Sequence, residues 1–117
     1  MWVPKLSSPE LVSHYRGLVA ESGDDYQLMA RLVENLSRKE YASSISAATS
    51  HDSLVIKAGR DMVSIDGGAK SFHIRYWDHS TNKVEKHNCE YFEAETLIDS
   101  LILRLSLKGE FSTAPNL

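Results

Sequence analysis

The chain has 117 residues, a formal net charge of −3 and a hydrophobic fraction of 42 %, which are ordinary values for a globular domain. This length fits a single domain with its own core, and the lone cysteine, Cys89, excludes an internal disulfide. The acidic balance disfavours a dedicated nucleic-acid-binding protein, which would usually be basic.

The composition also bears on localisation. The N-terminal stretch MWVPKLSSPE lacks the apolar segment of a signal peptide, and no apolar run is long enough to cross a bilayer. A single cysteine suits a reducing compartment. We therefore expect a cytoplasmic protein without a membrane segment, with one domain over residues 1–109 and a flexible tail over 110–117.

The N-terminal part, residues 8–50, is predicted to be helical. Ser8 and Pro9 mark the start of a first amphipathic helix, and the segment ESGDD ends it. A second helix carries an apolar stripe formed by Leu28, Met29, Leu32, Val33 and Leu36. Residues 38–50 follow a capping-box pattern of Ser37 and Glu40 but are rich in Ser, Ala and Thr, so a short third helix and a linker both remain open.

From Asp52 the apolar period changes from helical to alternating, which predicts a β-meander over residues 52–92. Its strands read SLVIKAG, MVSIDGG, SFHIRYWDH and KVEKHNCEYF, and the loops between them contain Gly or Asn. A last helix over residues 93–108 is apolar on one side. The prediction is an α+β fold with two N-terminal helices, a four-stranded antiparallel β-meander and a C-terminal helix packed on one sheet face.

The loop lengths predict the register of the meander. The expected cross-strand pairs are Lys57–Met62, Ile56–Val63, Leu54–Ile65, Ile65–Phe72, Val63–Ile74, Ser80–Lys83, Tyr76–His87, Ile74–Cys89 and Phe72–Tyr91. One face is then apolar and faces the C-terminal helix: Leu54, Ile56, Val63, Ile65, Phe72, Ile74, Tyr76, Cys89 and Tyr91. The opposite face is mixed: Val55, Lys57, Met62, Ser64, His73, Arg75, Trp77, His79, Val84, Lys86, Asn88 and Glu90.

The segment 72–91 concentrates histidines around the only cysteine, a pattern that makes metal binding and catalysis candidate functions. Zinc needs about four convergent ligands, yet His73 and His79 lie on one face while His87 and Cys89 lie on the other. His73 and His79 are also about 20 Å apart along one strand, too far to flank one bond. We expect no metal, no cofactor and no catalytic residues. A small hydrolase or nuclease using His73 or His79 is the alternative from another functional class.

The mixed face is the better candidate for recognition, because Trp, Arg and Met are enriched at protein interfaces. The candidate partner-binding residues are His73, Arg75, Trp77, His79, Lys86 and Asn88. In the alternative, the N-terminal helices cover this face and Trp77 belongs to the core. The cations Lys57, Arg75 and Lys86 argue against that, since buried charges need partners. A nucleic-acid stacking platform is disfavoured by the acidic net charge.

In size and order of elements, residues 52–107 resemble small bacterial immunity proteins, which accompany contact-dependent growth-inhibition toxins and other polymorphic toxins. The resemblance carries no diagnostic motif. It implies a non-enzymatic, antitoxin-like inhibitor in the bacterial cytoplasm that binds and neutralises a cognate toxin domain. Acidic residues would complement a basic nuclease toxin, or would form a solvated helix face: Glu21, Asp24, Asp25, Glu34 and Glu40.

The sequence leaves two further alternatives open. A phage-encoded inhibitor of a host defence complex would be equally small and free of motifs. The chain would also form a homodimer if an exposed edge strand of the sheet paired with a second copy.

Overall fold

The computed structural model describes residues 1–112, apart from the side chain of Asp24. Its α-helices are α1 (Pro9–Ser22), α2 (Gln27–Ser37) and α3 (Tyr91–Ser106). Short 3-10 helices span Gly23–Tyr26 and Glu40–Ser43. The strands are β1 (Trp2–Val3), β2 (Ala47–Ser50), β3 (Ser53–Ala58), β4 (Asp61–Gly67), β5 (Ser71–Asp78) and β6 (Lys83–Glu90).

All six strands form one antiparallel sheet in the order β1-β2-β3-β4-β5-β6. The predicted α+β architecture and the meander β3–β6 are confirmed, but the expected number of four strands is wrong. Residues 38–50, left open between helix and linker, form a 3-10 turn and then β2. The turn after β2, His51–Asp52, has positive φ at both residues, which matches the twist of a tight hairpin.

The three α-helices lie where periodicity placed them. Ser8 is the N-cap of α1 and Pro9 fits its first turn, although the Ser8 side chain makes no capping hydrogen bond. The suggested capping box is wrong, because the Ser37 hydroxyl donates to the carbonyl of Glu34 at the end of α2. Helix α3 begins at Tyr91, two residues before the predicted start at 93, so Tyr91 is helical.

The first hairpin has the predicted register, with Lys57 opposite Met62 and Leu54 opposite Ile65. The other two hairpins are shifted by two residues from the prediction. The observed pairs are Gly67–Phe72, Ile65–Ile74, Val63–Tyr76, Phe72–Cys89, Ile74–His87, Tyr76–Glu85 and Asp78–Lys83. Because a shift of two preserves the pleat, the predicted strand residues keep their faces, except His79 and Tyr91, which lie outside the strands.

Local contacts accompany both shifts. Gly67 lies opposite Phe72 on the core side, where a Cβ on the glycine would come within 2.8 Å of the Met29 Cβ. The absence of a side chain therefore lets α2 pack closely on this end of β4. In the β5–β6 turn, the Asp78 carboxylate accepts hydrogen bonds from the backbone and side chain of Ser80. This Asx-type arrangement stabilises a four-residue loop instead of the tight turn that was predicted.

All three α-helices contribute to a single core against one face of the sheet. The core includes Tyr15 from α1, Met29 from α2 and Ile98 from α3, all nearly or fully buried. Its sheet members are Leu54, Ile56, Val63, Ile65, Phe72, Ile74, Tyr76 and Cys89. Among the described residues, no α-helix covers the opposite face of the sheet.

The chain after α3 returns to the sheet. The amide of Gly59 donates to the carbonyl of Glu110 over 2.9 Å, and the amide of Ser112 donates to the carbonyl of Lys57 over 2.8 Å. Residues 110–112 of the predicted flexible tail thus run antiparallel to the end of β3. Residues 113–117 of that tail lie outside the described residues.

Candidate functional site

The outer face, defined as the side of the sheet opposite the three α-helices, is organised in transverse rows by the strand register. Its end row, which lies next to the β3–β4 and β5–β6 turns, is formed by Lys57, Met62, Trp77 and Val84. A second row contains Trp2, Ala48, Val55, Ser64, Arg75 and Lys86. A third contains Ser50, Ser53, Asp66, His73 and Asn88.

Most of the predicted partner-binding residues lie together on this face. His73 pairs with Asn88 and Arg75 pairs with Lys86, and all four are exposed. Trp77 is only partly buried. The alternative in which the N-terminal helices cover Trp77 is wrong, because α1 and α2 contribute to the core on the opposite side of the sheet.

The aromatic content of the outer face is larger than the sequence suggested. Trp77 has Met62 and Val84 as its direct neighbours in the end row, and Val84 is 39 % exposed. Trp2 lies on the same face through its pairing with Ala48. Sequence reasoning missed Trp2 because β1 has only two residues, too few to give an alternating pattern.

In the part of the chain that the structure describes, three cations of the outer face form no ion pair. No carboxylate oxygen of residues 1–112 lies within 4.0 Å of the charged nitrogens of Lys57, Arg75 or Lys86. By contrast, in the helical layer Arg16 pairs with Glu34 and Lys39 pairs with Asp99. These three cations outnumber the two carboxylates of the outer face, Asp66 and Glu90, on a chain whose net charge is −3.

His79 does not lie on the strand as predicted but in the turn after β5, because the longer β5–β6 loop begins there. Its backbone amide donates to Oδ1 of Asp61 over 2.9 Å, and its Nε2 is 3.2 Å from Nη1 of Arg60. Asp61 is only 4 % exposed and also accepts a hydrogen bond from the Tyr76 hydroxyl. These contacts fix His79 at the rim of the outer face.

A partly buried polar cluster supports this end of the sheet from the core side. The guanidinium of Arg104 lies 4.0 Å from the centre of the Tyr76 ring and pairs with Asp78 and Glu85. Burial raises the pKa of Tyr76, and its hydrogen bond to Asp61 acts in the same direction. The Tyr76 hydroxyl thus stays protonated and remains a donor to the Asp61 carboxylate.

The remaining histidine and the cysteine of segment 72–91 do not lie on the outer face. His87 and Cys89 face the core side, as expected, and line a groove of about 750 Å³ between β6 and α3. Burial raises the pKa of Cys89, which keeps its thiol neutral rather than nucleophilic. Within residues 1–112, no group of three or more His, Cys, Asp or Glu side chains is arranged to hold a metal ion.

Comparisons with known proteins give no relative from which residues could be carried over. No protein-family model matches the chain, and neither a search of curated proteins nor a search of solved structures found a match. None of the helices in the described part of the chain is long and apolar enough to span a membrane.

Proposed function

We propose that the protein is a non-enzymatic protein-binding inhibitor that recognises its partner through the outer face of the sheet. The observation that carries this proposal is Trp77, a large aromatic side chain that is partly exposed on a sheet face that no α-helix of residues 1–112 covers. Met62 and Val84 beside it supply further apolar contact area, and Arg75 in the next row supplies an unpaired charge.

The physical basis is the usual anatomy of protein interfaces. Trp and Arg are the side chains that most often dominate binding energy, and they act best on a rigid support surrounded by weaker contacts. Here the support is a six-stranded sheet with one continuous core behind it. A partner that covers Trp77 would bury its apolar ring without reordering the backbone, which keeps the entropic cost of binding low.

In its most specific form, the proposal is an immunity protein in the bacterial cytoplasm that neutralises a cognate toxin domain by covering its active site. The architectural resemblance of residues 52–107 supports this form. The outer face also accounts for five of the six residues predicted to bind a partner, which are His73, Arg75, Trp77, Lys86 and Asn88.

The test is capture of the partner by tagged wild-type protein from the native host's lysate, followed by gel filtration and mass spectrometry. We expect one stoichiometric protein that is lost with Trp77→Ala and with Arg75→Glu. Arg38→Glu is the matched control, since Arg38 is exposed next to α2 and away from the outer face. A partner retained equally by all the variants would contradict the proposal, as would a substrate whose turnover is abolished by His73→Ala.

A further inference from the structure

One end of the outer face holds a depression of about 260 Å³ next to Trp77. It lies between the β3–β4 turn and the β5–β6 turn, where the ends of four strands meet. Its lining includes Met62 and Val84 from the end row. The cations Lys57, Arg60 and Lys83 also line it, so the depression combines an apolar wall with a positively charged rim.

Asp78 is the only carboxylate that lines this depression in the described part of the chain, and its charge is already compensated. Nη2 of Arg104 lies 3.2 Å from its Oδ2, and the side chain of Asp78 is only 11 % exposed. Hydrogen bonds from Ser80 lower the pKa of Asp78, so it stays ionised in this arrangement. The three lining cations therefore leave an excess of positive charge.

We infer that this depression binds an acidic side chain of the protein partner, an Asp or Glu in a carboxylate-rich segment. This inference rests on the proposed function and adds the chemistry of the partner to it. The methylene groups of such a side chain would pack on the Trp77 ring, while its carboxylate would lie among the cations. Arg60 suits this role because a guanidinium can hold a carboxylate with two hydrogen bonds.

Several features favour a carboxylate of a protein over the phosphates of a nucleic acid. The helices lie on the other side of the sheet, so no α-helix of the described residues presents its N-terminus, a common phosphate-binding element, to the depression. The three lining cations, Lys57, Arg60 and Lys83, form one local cluster, which suits a single carboxylate better than a series of phosphates. The apolar neighbours of Trp77 also match the mixed character of a protein surface.

The experiment uses the full-length chain with Trp2→Phe, so that Trp77 is the only tryptophan and its fluorescence reports on the depression. The probes are an oligoglutamate peptide, an oligoglutamine peptide of equal length and an oligo-dT of equal charge. We expect oligoglutamate to change the Trp77 emission in a salt-dependent manner, and oligoglutamine to leave it unchanged. Arg60→Glu should weaken oligoglutamate binding about tenfold or more, while Arg38→Glu should leave it within about twofold.

Three outcomes would overturn the inference: no response to oligoglutamate, equal binding by Arg60→Glu, or tighter binding of oligo-dT than of oligoglutamate. Capture of the partner by the variants distinguishes a failure of this inference from a failure of the proposed function. If capture requires Trp77 but is unchanged by Arg60→Glu and Lys57→Gln, the outer face is the interface and the acidic-segment inference is wrong. If capture is also unchanged by Trp77→Ala, the proposed function itself is wrong.

Discussion

The hydroxyl of Tyr76 donates a 2.5 Å hydrogen bond to Oδ2 of Asp61, and this bond joins β4 to β5 directly beneath the outer face. The next residue, Trp77, points to the opposite side of the same strand. Two adjacent aromatic side chains thus have different roles. Tyr76 holds the scaffold together, and Trp77 is available to a partner.

This division predicts unequal effects of two neighbouring substitutions on stability. Tyr76→Ala should lower the free energy of unfolding by about 3–5 kcal/mol, because it empties a fully buried site and removes a partner of the Asp61 carboxylate. Trp77→Ala should lower it by only about 1–2 kcal/mol, since the ring is partly exposed. Urea unfolding followed by circular dichroism measures both values. Equal losses would indicate that Trp77 belongs to the core.

Stability should also fall at alkaline pH. Burial raises the pKa of Tyr15 and of Tyr76 above the ordinary value of 10.0, whereas in the unfolded chain both titrate near that value. The contribution of these raised pKa values to the free energy of unfolding is therefore complete below about pH 10. It is lost as the pH rises further, because the two tyrosines release their protons first in the unfolded state. Urea unfolding at about pH 8 and about pH 11 should reveal the loss. The loss should be smaller in Tyr76→Phe, and an unchanged pH dependence in this variant would contradict the explanation.

Two glycines should respond oppositely to alanine. Gly67→Ala should destabilise the fold by about 1–3 kcal/mol, because the new Cβ would lie 2.8 Å from the Cβ of Met29. Gly17→Ala should stabilise it by about 0.5–1 kcal/mol, since Gly17 lies within α1 and nothing would come within 4 Å of its Cβ. Thermal unfolding of the two variants shows whether each substitution raises or lowers the stability. A stabilising Gly67→Ala would show that α2 does not pack on β4 as described.

The β2–β3 turn offers a separate test of a hairpin that the sequence pattern did not reveal. His51 has φ 51°, a left-handed conformation that disfavours a side chain other than Gly, Asn or Asp. His51→Gly should therefore raise the free energy of unfolding by up to about 1 kcal/mol, while Ser50→Gly within β2 should lower it by about 0.5–1 kcal/mol. A loss of stability in His51→Gly would argue against this turn.

The meander and its two faces were predictable because alternation depends only on which side of the strand each residue occupies. The errors came from features that alternation does not encode. Strand β2 reads AATS, with little β-branched content, and its turn of His51 and Asp52 lacks the glycine or asparagine that marks a hairpin. The close approach of Gly67 to Met29 joins residues that are distant in the sequence and become neighbours only after folding.

For the candidate site, the alternation placed Trp77 on the mixed face, but the face could not be shown to be open. Whether the face is open depends on the side of the sheet on which the N-terminal helices pack, and no local sequence pattern indicates that side. The depression beside Trp77 was also unpredictable, because Lys57, Arg60 and Lys83 meet only through the turns. The ion pair between Asp78 and Arg104 joins residues on different elements, so no sequence pattern predicts it.

The most direct test of the central claim compares two exposed aromatic positions on different surfaces. Phe92, on α3 beside the groove with β6, is 73 % exposed and is the strongest competing anchor among the described residues. With the captured partner, isothermal titration calorimetry should show that Trp77→Ala costs about 2 kcal/mol or more of binding free energy, while Phe92→Ala leaves the affinity nearly unchanged. The reverse result, with binding lost in Phe92→Ala and retained in Trp77→Ala, would place the interface on the β6–α3 groove and contradict the account.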